Sequence, residues 1–472
     1  MKRIAIIGGG ISGLSAAYTL EEKRQSGTPV QYTLFESSAR LGGVLVTDHV
    51  DGCILEAGPD SFLTEKPWAA DLCRKIGLGD QLIGSNDADR KTYILTKGKL
   101  VELPDGLMFM VPTKIMPTVL SPLFSLRTKI RMAAEWFHPP RKAFEDETVA
   151  AMVKRHYGRE MVELLADPLL SGVYGGEASE LSVRAVLPRF ADMESKHGSL
   201  GRAMLEARKK MGAPESVPAR PLFTSLKDGM QQMVDTLVAR LDANSLKTSS
   251  LVQLVNREDN GWTVSAGFQS DQFDAVIIAT PAHGAADVLQ STDENLSRDL
   301  GEIKYSSSVT VTLGYDEKVR RSLPPGFGFL VPRSEGYRML AATFVHNKFP
   351  HRAPENRALV RCFLGGARDE QILESSEEEI LEIVRGELRQ IVGIALDTEP
   401  LFARVYKWKS SMAQYSVGHL ERLQRIESLR QKLPGLALAG NGYNGIGVPD
   451  CVRSGAEAAG KILAEMGMWS SA

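Results

Sequence analysis

The segment that decides the fold is MKRIAIIGGGISGLSAAYTL, residues 1–20. It begins with an isoleucine-rich run, Arg3 to Ile7, which is typical of a strand buried on both faces. Three glycines follow in a GxGxxG spacing, Gly8, Gly10 and Gly13, and a helical tract comes next. The segment therefore predicts a strand, a tight glycine-rich turn and a helix in direct succession.

Each glycine has a separate role in a dinucleotide-binding turn. Gly8 permits the tight turn, Gly10 lets the backbone approach a pyrophosphate, and Gly13 lets helix and strand pack closely. The helix amino terminus presents free N–H groups to phosphates. A second strand, Val30 to Phe35, ends at Glu36, where a carboxylate accepts ribose hydroxyls. The unit predicts dinucleotide binding and suits NAD and FAD equally.

Length and charge exclude several classes of protein. At about 150 residues per domain, 472 residues predict two or three domains with a large core. The formal charge of −2 gives no general attraction for nucleic acid, so we expect no nucleic-acid partner. The 4 cysteines share no CxxC or zinc-like spacing, so we predict no metal site.

The amino terminus also resembles a signal peptide, because Lys2 and Arg3 precede apolar residues. No small-residue cleavage site follows Leu20, and the same residues satisfy the more detailed nucleotide-binding pattern. No uncharged apolar run of about 18 residues occurs elsewhere. We therefore predict a cytoplasmic protein without a transmembrane helix.

Two further segments favour FAD over NAD. Arg40, Gly42 and Gly43 form an Arg-x-Gly-Gly that resembles the second signature of flavoproteins of the glutathione-reductase-like group. The segment Gly58 to Ser61 would bring backbone close to a flavin. An ordinary Gly-Gly turn and an ordinary Gly-Pro turn are the alternatives.

Distant parts of the chain are predicted to join the nucleotide-binding unit. Strands are predicted at 251–255, 262–266 and 273–279, the first two joined by an Asn260-Gly261 turn. Near the carboxyl end, a strand at 436–439 leads into a second glycine-rich turn. Pro449 follows it as the first residue of a helix, with an ordinary turn as the alternative.

Three narrower motifs occur later in the chain: Ser171 to Gly175 (SGVYG), Gln414 to His419 (QYSVGH) and Gly447 to Cys451 (GVPDC). Together with the amino-terminal motifs, they identify the chain as resembling the FAD-dependent porphyrinogen oxidase family, within the monoamine-oxidase-like flavoproteins. That family comprises protoporphyrinogen oxidases and bacterial coproporphyrinogen III oxidases.

The resemblance implies an α/β fold of the p-hydroxybenzoate-hydroxylase type. A discontinuous Rossmann-like FAD-binding domain would accompany a mixed-sheet substrate domain and a mainly helical insertion. The flavin domain would comprise residues 1–60, 225–300 and 403–472, the helical domain 90–210, and the substrate domain 61–89, 211–224 and 301–402. Amphipathic helices predicted at 148–166 and 375–394, and strands at 306–314, 339–345 and 359–364, agree with this layout.

The resemblance also implies a reaction. Hydride would pass from a bridging carbon of a porphyrinogen to FAD, and O2 would be reduced to hydrogen peroxide, with the porphyrin handed to another haem-pathway enzyme. The sequence contains no HExxH or Gly-x-Ser-x-Gly motif, so we predict no protein nucleophile. The substrate stays open between coproporphyrinogen III and protoporphyrinogen IX, although GVPDC is closer to the Gram-positive-type enzymes that favour the tetracarboxylate.

Two other functions fit the same scaffold. One is an amine oxidase or a carotenoid desaturase, and the other is a flavin-free binding protein of the GDP-dissociation-inhibitor type. Intact glycine motifs and Glu36 argue against the flavin-free alternative.

The resemblance assigns site residues position by position. The predicted FAD-binding residues are Gly8, Gly9, Gly10, Ile11, Ser12, Gly13, Glu36, Ser37, Arg40, Gly42, Gly43, Val44, Gly58, Pro59, Asp60, Ser61, Val252, Trp408, Ile446, Gly447 and Val448. The predicted substrate-binding residues are Lys66, Val173 and Tyr174.

The partner of the substrate's propionates is left open by a departure from the family pattern. Bacterial members carry a lysine at the position of Lys66, for which a surface lysine is the alternative. Eukaryotic members place an arginine before an aromatic strand residue, where this chain has Thr92-Tyr93, with Arg90 and Lys91 nearby.

One stretch bears on membranes. Residues 106–126 contain one charge and three prolines, which exclude a continuous spanning helix. Arg127, Lys129 and Arg131 follow on an amphipathic segment. Peripheral contact with an anionic membrane surface and a lid over an apolar substrate channel are the two alternatives.

Overall fold

A computed structural model describes residues 1–108, 110–141, 145–210, 220–259, 261–395 and 398–469. The strands are β1 (Lys2–Ile7), β2 (Val30–Phe35), β3 (Thr47–Val50), β4 (Cys53–Glu56), β5 (Phe62–Leu63), β6 (Leu82–Gly84), β7 (Thr92–Thr96), β8 (Lys99–Glu102), β9 (Leu107–Met108), β10 (Val111–Pro112), β11 (Phe223–Leu226), β12 (Leu246–Lys247), β13 (Val252–Glu258), β14 (Gly261–Ala266), β15 (Gln269–Phe273), β16 (Ala275–Ile278), β17 (Tyr305–Asp316), β18 (Gly328–Leu330), β19 (Met339–Phe344), β20 (Arg357–Gly365), β21 (Phe402–Ala413) and β22 (Leu436–Leu438). The helices are α1 (Ile11–Gln25), α2 (Trp68–Lys75), α3 (Ile115–Leu120), α4 (Leu126–Glu135), α5 (Val149–Tyr157), α6 (Arg159–Met161), α7 (Asp167–Tyr174), α8 (Val183–Val186), α9 (Pro188–His197), α10 (Leu200–Lys210), α11 (Gln231–Val238), α12 (Ala282–Leu289), α13 (Glu294–Gly301), α14 (Glu317–Ser322), α15 (Val345–Lys348), α16 (Glu377–Val392), α17 (His419–Arg430) and α18 (Val448–Glu465).

The first sheet has five parallel strands in the order β12-β2-β1-β16-β22. Alternate residues of β1 face opposite layers. Ile4 and Ile6 belong to a core with Leu14 of α1, whereas Ile7 belongs to a core with Trp262 of the β13-β14-β15 sheet. Both faces of the sheet are therefore covered, which explains the isoleucine-rich sequence of β1.

The second large sheet is mixed, with seven strands in the order β21-β17-β20-β19-β18-β7-β8. Its neighbours are antiparallel except for β18 and β7, which are parallel. Helix α16 begins at a capping box of Ser376 and Glu379 and contributes Ile380, Val384 and Leu388 to the core of this sheet. A mixed sheet beside a parallel one is the arrangement that the predicted fold class contains.

A mainly helical region, α3 to α10, packs around a further hydrophobic core, to which Ile94 of β7 and Ala413 of β21 also contribute. The helical stretch predicted over 148–166 is helical in the structure but is interrupted once, because α5 ends at Tyr157 and Gly158 adopts a φ of +93°. That conformation favours glycine and interrupts the helix. The chain then forms α6 and a π-helical turn, Val162–Ala166, before α7.

Two predicted element ends also differ from the structure. The strand predicted at 273–279 is shorter in the structure, where Phe273 ends β15 and β16 covers Ala275–Ile278. Between the two strands, the Asp274 carboxylate accepts the Arg3 amide at 2.8 Å. Pro449 is the second residue of α18 and follows Val448, which is its first. Either position lies in the first turn, where proline's missing N–H has no cost.

The predicted domain boundaries stay predictions. Strand pairing shows which sheet the strands of each predicted domain join. Strands β7 and β8, within the predicted helical domain, pair into the mixed sheet, as does β21, most of which falls in the predicted flavin domain. Residues 211–219 and Asn260 lie outside the described residues. Among the described residues, no helix combines the length and apolar character needed to cross a bilayer.

Candidate functional site

The first glycine-rich turn is tightly packed on one side and open on the other. Gly8 has a φ of +107°, and a Cβ on Gly13 would overlap the carbonyl oxygen of Gly8. At Gly10, a Cβ would meet no atom of the described residues within 4 Å. Helix α1 starts immediately afterwards without a side-chain cap, which leaves its first amides available to an anion.

Glu36 lies at the end of β2, beside this turn. Its carboxylate accepts the amide of Gly9 at 2.7 Å and that of Ser38 at 2.8 Å, with the Ser37 hydroxyl at 3.2 Å. Its carbonyl oxygen accepts the Ser250 amide at 2.8 Å, two residues before the buried Val252. The structure therefore brings the predicted ribose-binding acid close to Val252, another of the predicted FAD-binding residues.

The second Gly-Gly turn packs directly on the first. The Gly42 amide donates to the Gly9 carbonyl at 2.8 Å, and a Cβ on Gly43 would lie 3.2 Å from the Cα of Gly10. The Arg40 guanidinium donates to the Gly43 carbonyl and holds the turn closed. A Cβ on Gly58 would overlap the carbonyl oxygen of Val44, the residue after this turn.

The segment from Ala57 to Ser61 is hydrogen-bonded to side chains of β21 in the mixed sheet and of α15. The Ala57 carbonyl accepts the Trp408 indole N–H at 2.9 Å, and the Asp60 carboxylate accepts the Lys348 ammonium at 2.9 Å. Burial raises the pKa of Asp60, but Lys348 and Arg361 lower it more, so its net pKa is well below the ordinary range. Asp60 is therefore ionised and fixed in place, and Pro59 lies between it and Gly58.

The carboxy-terminal turn closes the site from the other side. The Tyr415 hydroxyl accepts the Gly445 amide at 2.8 Å and donates to the Asn441 carbonyl at 2.7 Å. Ile446 and Gly447 then lead into Val448, the first residue of α18. A Cβ on Gly455 of α18 would overlap the Ser12 carbonyl oxygen, so α18 packs closely on the start of α1.

Three glycine-rich segments, distant in sequence, thus meet around one cradle. The open position at Gly10, the unprotected amides of α1 and the Glu36 carboxylate match a pyrophosphate and a ribose. The residues present therefore fit FAD. The assignment of individual cofactor contacts stays a prediction.

The predicted substrate residues lie near the carboxy-terminal turn. Lys66 donates to Asp450 of α18 at 2.6 Å. Val173 is 51% exposed, and the Tyr174 ring lies 6.4 Å from the Tyr415 ring. Burial raises the pKa of Tyr174 to about 12, so its hydroxyl stays protonated at neutral pH. Their roles towards a substrate stay predictions.

Sequence reasoning missed several residues that shape this site, namely Thr310, Lys348, Arg361, Tyr415 and Asp450. Tyr415 and Asp450 lie within the QYSVGH and GVPDC motifs, which gave them no individual role, and Arg361 had a signal of its own. Arg361 interrupts the apolar run of β20, and a charge at a buried strand position commonly has a specific partner.

A protein-family model described as "Flavin containing amine oxidoreductase" matches residues 11–463. The chain belongs to this family. The match begins at the first residue of α1, so it covers the second and the carboxy-terminal glycine-rich segments but not β1 or Gly8–Gly10.

Individual relatives show which members of the flavin-containing amine oxidoreductases this chain is similar to. The coproporphyrinogen III oxidase of Bacillus subtilis (strain 168) is 34% identical over 474 residues, which cover 98% of each chain. Protoporphyrinogen oxidase 2 of Arabidopsis thaliana is 27% identical and covers 98% of this chain and 94% of its own. A crystal structure from Exiguobacterium sp. 255-15 is 30% identical, with a TM-score of 0.87 over 98% of this chain and 99% of that chain.

These similarities confirm four predictions: the resemblance to porphyrinogen oxidases, the α/β flavoprotein fold, FAD as cofactor and an oxidoreductase activity. A flavin-free binding protein is not supported.

Proposed function

We propose that this flavoenzyme oxidises coproporphyrinogen III to coproporphyrin III with O2 as acceptor. Three rounds remove six hydrogens from the substrate and reduce three O2 to three H2O2. The observation that carries the proposal is the 34% identity to a coproporphyrinogen III oxidase across nearly the whole length of both chains. Protoporphyrinogen IX is the alternative substrate, supported by the lower identity of 27% to a protoporphyrinogen oxidase.

The chain's own residues would hold FAD in three places. The Gly8–Gly13 turn and the start of α1 would bind the pyrophosphate, and Glu36 would accept the ribose hydroxyls. Backbone of Gly42–Val44 and Gly58–Ser61 would line the ring together with Ile446–Val448. When bound, FAD supplies the hydride acceptor and the site at which O2 is reduced.

The wall of the substrate pocket is proposed to be the end of α7. Val173 exposes an apolar side chain there, which suits a tetrapyrrole face. The Gln414 amide donates to the Tyr174 carbonyl at 2.6 Å and to the Ser306 hydroxyl at 3.0 Å, and both bonds fix this end of the helix. Lys66 would offer a cation to a substrate carboxylate at the same end of the pocket.

The test is anaerobic mixing of the purified yellow holoenzyme with coproporphyrinogen III and, separately, with protoporphyrinogen IX. We expect the flavin absorbance to bleach faster with coproporphyrinogen III, and porphyrin fluorescence to appear at the same rate. Faster bleaching with protoporphyrinogen IX would reverse the choice of substrate. Bleaching with neither would reject the proposed function.

A second proposal concerns a membrane surface, and it rests on the segment from α3 to Phe137, just after the end of α4. Apolar side chains there face solvent, with Leu126 74% and Phe137 85% exposed. Exposed apolar side chains close to Arg127 and Arg131 suit an anionic bilayer surface, from which an apolar substrate could also enter. We propose peripheral contact through this segment on the cytoplasmic side.

Pelleting with vesicles of phosphatidylglycerol and phosphatidylcholine tests this contact. The triple variant R127E/K129E/R131E is expected to lose most of its pelleting. The matched control, R404E/K407E/K409E, makes the same charge change on the edge strand β21 and should pellet like the wild type. Undiminished pelleting of the first variant would leave the lid over a substrate channel as the role of this segment.

A further inference from the structure

Side chains from three neighbouring strands converge on one carbonyl oxygen, that of Ala57. Thr310 on β17 donates its hydroxyl at 2.8 Å, and Trp408 on β21 donates its indole N–H at 2.9 Å. Arg361 on β20 donates Nη2 to the same oxygen at 3.3 Å and also to the carbonyl oxygen of Gly58. The backbone just before Pro59 is therefore held by one charged and two neutral donors.

The register of the sheet explains the convergence. Thr312 of β17 lies opposite Arg361, and Ser308 lies opposite Trp408. Because Ser308, Thr310 and Thr312 alternate along one strand, they share a face of the sheet. Their cross-strand partners project from that same face, towards the Ala57 carbonyl.

Among the residues that the structure describes, no carboxylate forms an ion pair with Arg361, although Asp60 is close enough for its pKa to be lowered by the guanidinium. Arg361 lies in a cluster of five charged side chains, in which the two carboxylates already pair with the other two cations. Glu56 pairs with Arg352 at 2.9 Å, and Asp60 pairs with Lys348 at 2.9 Å. An arginine stays charged in proteins, so three cations face at most two anions and the cluster keeps at least one excess positive charge. Arg361 is only 4% exposed, so solvent screens that charge weakly.

Burying such a charge costs folding free energy. Among the described residues, Nε of Arg361 makes no hydrogen bond, so the guanidinium is not even fully satisfied. A neutral donor, such as Thr310 already supplies, would hold the Ala57 carbonyl at lower cost. The position therefore favours a charge for a reason other than stability.

We propose that Arg361 is a positioning residue that raises the reduction potential of the bound FAD through the Ala57–Gly58 backbone. The inference rests on the proposed function, in which this segment lines the flavin ring. Two-electron reduction with uptake of one proton gives the bound cofactor one additional negative charge. A fixed positive charge behind the ring's contact segment favours that reduced state, because the surroundings have a low dielectric constant.

The test measures the midpoint potential of the holoenzyme against a reference dye during slow enzymatic reduction. In Arg361→Gln, the ratio of reduced to oxidised FAD at a fixed potential should fall about tenfold, which is about 30 mV for a two-electron couple. Arg361→Lys should stay close to the wild type at neutral pH because the charge remains. An unchanged potential in Arg361→Gln would overturn the proposal.

Thr310→Val is the matched control for positioning without charge, because it removes one neutral donor from the same carbonyl. Its potential should equal that of the wild type. A shift as large as that of Arg361→Gln would show that loosening the segment is sufficient, and it would overturn the role of the charge.

A second measurement covers the case in which Arg361→Gln does not fold. In Arg361→Lys, the potential should fall more steeply with rising pH than in the wild type, because a buried lysine loses its proton and arginine does not. Parallel pH profiles would overturn the proposal. Failure of the proposed function looks different: the wild type would bind no FAD, or it would show these shifts without oxidising either porphyrinogen.

Discussion

The Nζ of Lys66 lies 2.6 Å from Oδ2 of Asp450, and the two residues come from opposite ends of the chain. Asp450 is almost completely buried in the first turn of α18, where it also accepts the Gly447 amide at 3.3 Å. The Lys66 side chain is 40% exposed. It therefore neutralises a buried carboxylate and still offers part of its surface to a ligand.

This arrangement makes a prediction for Lys66→Met. If Lys66 binds a substrate carboxylate, the variant loses one charged hydrogen bond, worth about 1.5–3 kcal/mol. We expect KM for coproporphyrinogen III to rise by roughly tenfold to a hundredfold, with kcat changed far less, because such binding is uniform. Steady-state kinetics with both porphyrinogens measure the effect.

Two variants control this experiment. Lys66→Arg keeps the charge and should keep most of the affinity. Lys75→Met removes an exposed lysine that pairs with Glu22 on the α1 side of the molecule, and its KM should equal that of the wild type. A rise in KM shared by Lys66→Met and Lys75→Met would contradict a specific role for Lys66.

The second prediction concerns Gly10. It has a φ of −69°, which any residue adopts, and its Cβ position is open, so Gly10→Ala should fold normally. The added methyl group would occupy space that we assign to the pyrophosphate. We expect weaker FAD binding by about tenfold or more, measured as fluorescence titration of the apoprotein with FAD.

Gly386→Ala is the matched control, because its Cβ also meets no atom within 4 Å in the part of the chain that the structure describes. It lies in α16, where alanine should stabilise the helix by about 0.5–1 kcal/mol. FAD affinity should be unchanged in this variant. Equal FAD affinity in Gly10→Ala and the wild type would mean that the pyrophosphate lies elsewhere.

The nucleotide-binding part of the fold was predictable because its signals are local. Residues of β1, α1 and β2 carry the glycine spacing, the helix and Glu36 in one continuous segment, and the structure has all of them. The break in the helical stretch at 148–166 was not predictable, because periodicity alone does not reveal that Gly158 takes a positive φ. Apolar spacing continues across the break, so the pattern looked uninterrupted.

The site was less predictable because its contacts are distant in sequence. Arg361 and Ala57 are separated by 304 positions, and Lys66 and Asp450 by 384. No sequence pattern pairs such residues, since their contact depends on the register of a seven-stranded sheet and on the packing of α18. Resemblance to a family supplied the glycine segments but not the side chains behind them.

The third prediction concerns His156, which is buried between two carboxylates. Its ring nitrogens lie 3.1 Å from Glu135 and 3.0 Å from Glu194. Burial lowers the pKa of His156, but the bonds to both glutamates raise it more, so its net pKa is above the ordinary value. Arg155 also pairs with Glu194, and the His138 ring lies 5.0 Å away.

Because the folded-state pKa is raised, protonated His156 stabilises the fold fully below about pH 6.5, its ordinary pKa. That stabilisation is lost as the pH rises through the folded pKa. His156→Gln should therefore lower Tm most near pH 6 and less near pH 9. We expect a loss of about 3–5 kcal/mol near pH 6, because Glu135 is left buried without its ion-pair partner while Glu194 keeps Arg155.

Thermal unfolding of both proteins between pH 6 and 9 provides the measurement. His49→Gln replaces an exposed histidine, and its difference from the wild type should be small at every pH. A difference between His156→Gln and the wild type that stays constant over this range would disprove the protonated state.

The last prediction concerns the ion pair of Arg368 and Asp167, both largely buried. Asp167 starts α7 and also accepts the Ala178 amide at 3.1 Å, while the residue before Arg368 donates its amide to the Gly175 carbonyl at 2.8 Å. These contacts attach both ends of α7, including Tyr174, to the end of β20. Arg368→Met leaves Asp167 buried without a cation, so we expect a loss of about 3–5 kcal/mol in unfolding free energy.

The double variant separates the charge from the position. Asp167→Asn in the Arg368→Met background removes the unpaired carboxylate and should recover part of the stability, measured by urea denaturation. We expect the substrate KM to be raised in Arg368→Met and in the double variant alike. In both, the ion pair no longer reinforces the two amide contacts, so the pocket wall at the end of α7 is less firmly held. If the stability losses of the two single variants add up to the loss of the double variant, the two side chains are not coupled. A wild-type KM in the double variant would mean that the pair does not position the pocket wall.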